Sequence, residues 1–294
     1  MSSLRIFLFA PLLSLLFLAS CAVPPAPLAS STSTPYTGLT GNWLLADTTG
    51  TDYPPVISMA LFDNGSALTA RGNLSVECGY FTHALIGPVT VPLALESSLA
   101  ADGSFTMSEA VPTIAGTIQL TIQATSNASG WGGTYAIAGA SNLQTCGIAS
   151  YSGTFTAQQI PPITGTYTGN ISLYTNPASV YGFTLNLTQE APAAIPGSSA
   201  LSNIPVTGTA SVQGISCFTQ GTLPAASSVL SNVTGEQYVL NFTMNDGSTL
   251  LMQGFVQQGS PSGYVAGSTM LGGSFTVVGG NCDGMYGWGY LPLQ

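Results

Sequence analysis

Apolar and polar residues alternate along most of this chain, with the period of two that belongs to strands. Thr117-Ile118-Gln119-Leu120-Thr121-Ile122-Gln123-Ala124 alternates strictly and predicts a strand with one buried face and one wet face. Phe183-Thr184-Leu185-Asn186-Leu187 and Tyr238-Val239-Leu240-Asn241-Phe242-Thr243-Met244 do nearly the same. Turn-forming clusters separate such runs: Asp63-Asn64-Gly65, Asp102-Gly103 and Asn245-Asp246-Gly247. No helical stripe follows Ser20. The pattern predicts an all-β protein of short antiparallel strands, closed as barrels or folded as sandwiches.

The pattern also occurs twice. Leu39-Thr40-Gly41-Asn42-Trp43 returns as Ile163-Thr164-Gly165-Thr166-Tyr167, and Gly132-Gly133-Thr134-Tyr135-Ala136-Ile137 as Gly272-Gly273-Ser274-Phe275-Thr276-Val277. One cysteine precedes the second motif in each copy (Cys78, Cys217) and one follows it (Cys146, Cys282). A strand of glycine and aromatics closes each copy, Tyr151-Ser152-Gly153-Thr154-Phe155 and Tyr286-Gly287-Trp288-Gly289-Tyr290. The second copy is longer before its first cysteine. Matching order and spacing predict a duplicated domain of about eight strands per copy. The expected units are 38–160 and 161–294, divided at the Gln158 to Pro162 linker.

Five cysteines are present, and setting aside Cys21 leaves an even number, as a disulfide framework requires. Three pairings are open to four cysteines, and the repeat favours the one that makes the copies alike, Cys78–Cys146 and Cys217–Cys282. No C-x-x-C pair supports a metal site instead.

Composition narrows the function. Charged residues make up 4% of the 294 residues, against about 25% in ordinary globular proteins. Lysine is absent, and the arginines are Arg5 and Arg71. Nucleic-acid binding is excluded, because it rests on neutralising phosphates with cations that the chain lacks. A polybasic membrane patch is excluded for the same reason. The formal net charge of −9 comes from scattered acids, which argues for solubility more than for a partner.

The first twenty residues have the layout of a signal peptide, with Arg5 followed by an apolar stretch from Ile6 to Phe17. That stretch is short for a transmembrane helix, which needs about 20 apolar residues. Leu18-Ala19-Ser20-Cys21 resembles the lipobox of bacterial lipoproteins. The resemblance implies cleavage before Cys21 and acyl chains on that residue, a stable anchor at about 0.8 kcal/mol per buried methylene. Ala22 stands where an aspartate would imply retention in the inner membrane, so the resemblance implies the outer membrane. Residues 21–37, rich in Pro, Ala, Ser and Thr, are expected to form a tether.

Gly41-Asn42-Trp43 is similar to the G-x-W signature of lipocalin barrels, over these three residues. The chain lacks the late arginine that covers the tryptophan in that family. The whole duplicated pattern resembles uncharacterised exported lipoproteins of acidobacteria, a likeness that implies no activity.

Candidate chemistry is sparse. His83, the single histidine, lies five residues past Cys78 and has no G-x-S-x-G elbow to serve. A carboxylate pair would have to come from Glu77, Glu96, Asp102 and Glu109, or from Glu190, Glu236, Asp246 and Asp283. Most of these stand in or beside turn signals, where backbone geometry explains them; Glu77 is read within a strand. The sequons at Asn73, Asn186 and Asn241 follow from composition. Trp43, Trp131 and Trp288 are expected in the barrel cores or as end plugs, with a sugar or apolar ligand site as the alternative.

The expected protein is a lipid-anchored envelope or cell-surface protein with a non-enzymatic binding or structural role, needing no cofactor. The alternatives are a carrier of a small apolar ligand in a barrel cavity and a carboxylate-dependent hydrolase. Its expected partners are the membrane, through the lipid on Cys21, and a small apolar or carbohydrate ligand.

Overall fold

Strands form wherever the alternation predicts them. A computed structural model describes residues 38–50, 54–63, 67–76, 89–113, 116–127, 130–139, 150–194, 202–225, 230–258 and 269–294. Cys21 and its tether, Glu77, Cys78, His83 and Cys146 lie outside the described residues. The first copy supplies β1 (Gly41–Asp47), β2 (Val56–Asp63), β3 (Leu68–Val76), β4 (Val89–Ser97), β5 (Ser104–Thr113), β6 (Gly116–Asn127), β7 (Gly130–Ala138) and β8 (Ser150–Gln159). The second supplies β9 (Gly165–Leu173), β10 (Val180–Gln189), β11 (Ala193–Ala194), β12 (Ser202–Gln213), β13 (Gln220–Thr222), β14 (Asn232–Thr234), β15 (Gln237–Met244), β16 (Thr249–Gln258), β17 (Thr269–Val278) and β18 (Tyr286–Pro292). One 3-10 turn, Gly280–Cys282, is the helical element among the described residues.

Each copy is an up-and-down antiparallel meander closed into a barrel, which decides between barrel and sandwich. In the first, β1 to β8 follow one another and β8 returns to pair with β1. In the second, β18 returns to β9, and β13 and β14 together fill one strand position between β12 and β15. The second barrel is a complete ring of ladders, because β10 also pairs with β12. The first has a seam where β4 and β5 lie side by side without a ladder. There the Ala94 N–H of β4 donates to Glu109 Oε2 of β5 at 2.8 Å, so a carboxylate takes the place of a backbone carbonyl.

Inward positions build two cores. In the first barrel Trp131 is the hub, with ring centroids 5.7 Å from Trp43, 5.5 Å from Phe105 and 5.6 Å from Phe155. The Trp43 indole N–H donates to the Leu39 carbonyl at 2.9 Å. In the second barrel, Tyr167 takes the position of Trp43 and is fully buried. Burial pushes its phenol up to about 12. Cys217, between β12 and β13, is bonded to Cys282, between β17 and β18, with Cα atoms 6.0 Å apart. Ile215 and Phe218 are buried in the core beside this bond, and Met285 packs against them.

The two barrels dock through faces that ordinarily meet water. On β2, Ser58 and Ala60 point outward yet are buried, and Ala60 belongs to the second barrel's core. The hairpin turn at Gly235 and Glu236 seats on this patch. Asn42 Nδ2 donates to the Gly235 carbonyl at 2.8 Å, Asn73 Nδ2 to the Thr234 carbonyl at 3.2 Å, and the Glu236 N–H to Ser58 Oγ at 3.1 Å. Gly235 is required there: its φ is +61°, and a Cβ would lie 2.2 Å from Ser58 Oγ. The Nδ2 groups of buried Asn42 and half-buried Asn73 keep hydrogen bonds that offset part of their desolvation, while Asn42 Oδ1 is buried without a partner among the described residues.

One polar pair distinguishes the interiors. Tyr135 donates its hydroxyl to Asp47 Oδ2, while Thr49 and Gly50 N–H groups donate to Oδ1. Partial burial works against the charge of Asp47, but these bonds outweigh it and hold the carboxyl below its ordinary value. At the equivalent places the second barrel has Ile171 and Phe275, so both partners are exchanged together. Asp47→Ala and Tyr135→Phe are each expected to lower stability, by less than about 1 kcal/mol for so exposed a carboxylate. A double-mutant cycle by urea unfolding should return a loss smaller than the sum. Because the folded pKa is depressed, Asp47 stabilises above its ordinary value of 3.8, and this contribution is lost as pH falls through the folded value. Additive losses at pH 7 would show that the pair is not coupled.

Candidate functional site

Among the described residues, the outer face of β18 is distinguished by a line of aromatics. Tyr286, Trp288 and Tyr290 point outward and are 46%, 38% and 42% exposed. Alternate residues of a strand stand about 7 Å apart, so the three side chains form a stripe along the barrel. Tyr174, just past β9, lies across from Tyr286, to whose carbonyl its N–H donates at 3.2 Å, and widens the stripe with its ring 5.5 Å from that of Tyr286. Trp288 and Tyr290 lie 5.4 Å apart with their planes at 68°. On β16, exposed Phe255 stands across Gly272 from Tyr290.

The inward positions of β18 explain why the rings face out. Gly287 and Gly289 are buried, and the space above them is filled by neighbours. A Cβ on Gly287 would lie 2.7 Å from the Phe275 ring, and one on Gly289 2.7 Å from Ile171 Cγ2. Phe275 and Ile171 thus occupy the interior, and the aromatics of β18 have only the outside.

Ladder register makes the two copies comparable residue by residue. Tyr135 pairs with Gly153 where Phe275 pairs with Gly287, and Asp47 pairs with Phe155 where Ile171 pairs with Gly289. Tyr286, Trp288 and Tyr290 therefore occupy the places of Ser152, Thr154 and Thr156, which are exposed hydroxyl residues. The aromatics of the two closing strands lie on opposite faces, since Phe155 is in the first core while Tyr290 is exposed.

The surroundings of the stripe are polar and uncharged. Asn170 and Ser172 face outward on β9 beside Tyr290 and Trp288, and Ser274 and Thr276 do so on β17. No charged residue occurs in β9, β16, β17 or β18. A second surface, a groove of about 500 Å³ on the outside of the first barrel, is lined by Ser104, Thr106, Gln123, Thr125 and Thr134 among others. It has a hydroxyl character typical of the whole exterior.

The three tryptophans separate accordingly. Trp43 and Trp131 are core residues, while the expectation of a core or plug role fails for Trp288, which faces solvent. The candidate acids are spread over both barrels. Asp102 and Asp246 build the same turn twice: Ser104 and Ser248 each donate an N–H at 3.0 Å and a hydroxyl at 2.6 Å to the aspartate Oδ1. Those serine bonds hold both carboxyls below the ordinary value. Asp283 accepts the Gly279 N–H at 2.7 Å, and Glu190 accepts the Thr207 hydroxyl at 3.4 Å. Glu96 is exposed on β4.

Two acids are raised rather than lowered. Burial raises Glu109, offset in part by the Ala94 N–H, and burial raises Glu236 at the docking hairpin. Glu109 was legible as the one acid in the inward series Phe105, Met107, Glu109, Val111. The docking face was foreshadowed by Ile57-Ser58-Met59-Ala60-Leu61, which lacks the outward polar bulk of a wet strand. Among the described residues no three of His, Cys, Asp and Glu gather as a metal would need, and no helix is long and apolar enough to cross a membrane.

No protein-family model matches the chain, and no curated protein matches it in sequence. Among solved structures it is similar to kievitone hydratase from Nectria haematococca, at 12% identity over 93% of this chain and 94% of that one. The TM-score is 0.22, a likeness too slight to carry any inference about activity.

Proposed function

We propose that this protein is a lipid-anchored envelope protein with a non-enzymatic binding role, and that its binding surface is the aromatic face of the second barrel. The observation that carries the binding role is the exchange of Ser152, Thr154 and Thr156 for Tyr286, Trp288 and Tyr290 at equivalent positions of two barrels with the same meander. The first barrel folds with hydroxyls there, so folding does not call for exposed rings. Clustered exposed aromatics mark interaction sites more often than chance exposure does. The interiors favour surface binding over carriage: Trp43, Phe105 and Phe155 pack around Trp131 in the first core, and the Cys217–Cys282 bond packs against the second core. The turn roles of Asp102 and Asp246 favour binding over carboxylate hydrolysis.

The anchor rests on Leu18-Ala19-Ser20-Cys21. Protein extracted from membranes in detergent is expected to begin at Cys21 and to carry acyl mass there. Cys21→Ser should move it from the membrane to the soluble fraction. Membrane retention of Cys21→Ser would overturn the anchor.

A further inference from the structure

The chemistry of the aromatic face narrows what it binds. Three rings, those of Tyr286, Trp288 and Tyr290, follow one another along the barrel wall, and that of Tyr174 stands beside Tyr286. Asn170, Ser172, Ser274 and Thr276 stand beside them with uncharged donors and acceptors. The supporting strands contain no charge, and the whole chain has a formal net charge of −9 with no lysine. An anionic ligand or an anionic membrane surface would meet repulsion and find no cation to bind. A purely apolar ligand would leave the flanking amide and hydroxyls desolvated without partners. A pyranose matches both features: its C–H faces stack on aromatic rings, and its equatorial hydroxyls reach sideways to hydrogen-bonding side chains.

Ring orientation separates two kinds of glycan. A crystalline polysaccharide surface is flat and needs coplanar rings. Trp288 and Tyr290 are inclined at 68°, while Tyr174 and Tyr286 differ by 35°. A single hydrated chain, which can turn between residues, can stack on each ring in succession.

We propose that the face formed by Tyr174, Tyr286, Trp288 and Tyr290 binds a single chain of a neutral polysaccharide. The proposal rests on the binding role assigned above to this face, and it names the ligand class.

The test uses the full chain in mild detergent and native gels containing mixed-linkage β-glucan, xyloglucan, galactomannan or soluble amylose. The variant Tyr286→Ser/Trp288→Thr/Tyr290→Thr installs the residues that the first barrel carries at these positions, and circular dichroism and thermal melting verify that it folds. Retardation by at least one neutral glycan is expected, together with a blue shift of Trp288 fluorescence, since Trp43 and Trp131 are buried. Each ring removed should weaken binding roughly two- to tenfold, and the triple variant by about tenfold or more. Should the triple variant fail to fold, Trp288→Thr alone is measured, with a loss of roughly two- to tenfold expected and an unchanged affinity overturning the proposal. No retardation with any of these glycans, or equal retardation of the folded variant, overturns the proposal, as does retention by microcrystalline cellulose alone. Binding to phosphatidylglycerol vesicles without glycan binding, lost in the variant, overturns the glycan but leaves the binding face standing. A variant indistinguishable from the parent toward glycans and vesicles overturns both.

Discussion

Trp131→Ala is expected to cost about 3–5 kcal/mol and to unfold the first barrel well below its normal midpoint. Trp131 touches Trp43, Phe105 and Phe155, which come from three different strands, so its removal leaves a cavity that no single neighbour can fill. Trp131→Phe should cost much less. The buried indole N–H takes no hydrogen bond among the described residues, so the change loses packing area but no polar contact. Trp288→Ala, at 38% exposure, should change stability by under about 0.5 kcal/mol. Thermal unfolding followed by near-ultraviolet circular dichroism distinguishes the three. A Trp131→Ala midpoint close to that of Trp288→Ala would show that the aromatic cluster does not hold the barrel.

The second large effect is expected from Cys217→Ser with Cys282→Ser. The bond closes a loop of 65 residues in sequence, worth about 4 kcal/mol in the chain-entropy model and typically 2–4 kcal/mol when measured. For a domain of this size the midpoint should fall by roughly 8–16 °C. The loss should be confined to the second barrel, because Cys217 and Cys282 both belong to it and pack against its core. Equal losses in both barrels would mean that they unfold as one unit through their docked faces. Peptide mapping without reduction should also join Cys78 to Cys146. These residues follow β3 and β7, as Cys217 and Cys282 follow the corresponding β12 and β17. A Cys78–Cys217 peptide would refute the pairing within each copy.

Docking of the barrels takes up positions that would otherwise be wet: without it, Ser58, Asn42 and Asn73 would face water. Instead they anchor the Gly235 hairpin through three hydrogen bonds that run from one barrel to the other. The two barrels share a meander but differ at their surfaces, one face for docking and another bearing rings.

Much of this was determined by the sequence alone. Strict alternation in β6 and near alternation in β15 set the strands and their buried faces, since only a period of two separates Ile118, Leu120 and Ile122 from Thr117, Gln119 and Gln123. The repeat with its cysteines led to the Cys217–Cys282 bond. Tertiary structure decided the rest. Barrel against sandwich depended on β8 meeting β1 and β18 meeting β9, contacts between chain-distant strands that no local pattern encodes. The seam at Glu109 and the burial of Ser58 depended on which edges and faces came together. Most of all, Tyr286-Gly287-Trp288-Gly289-Tyr290 alternates without saying which side is wet, because glycine has no polarity to set against the rings. Read alone, the aromatics belong inside. They face solvent because Phe275 and Ile171 already fill the interior above the glycines.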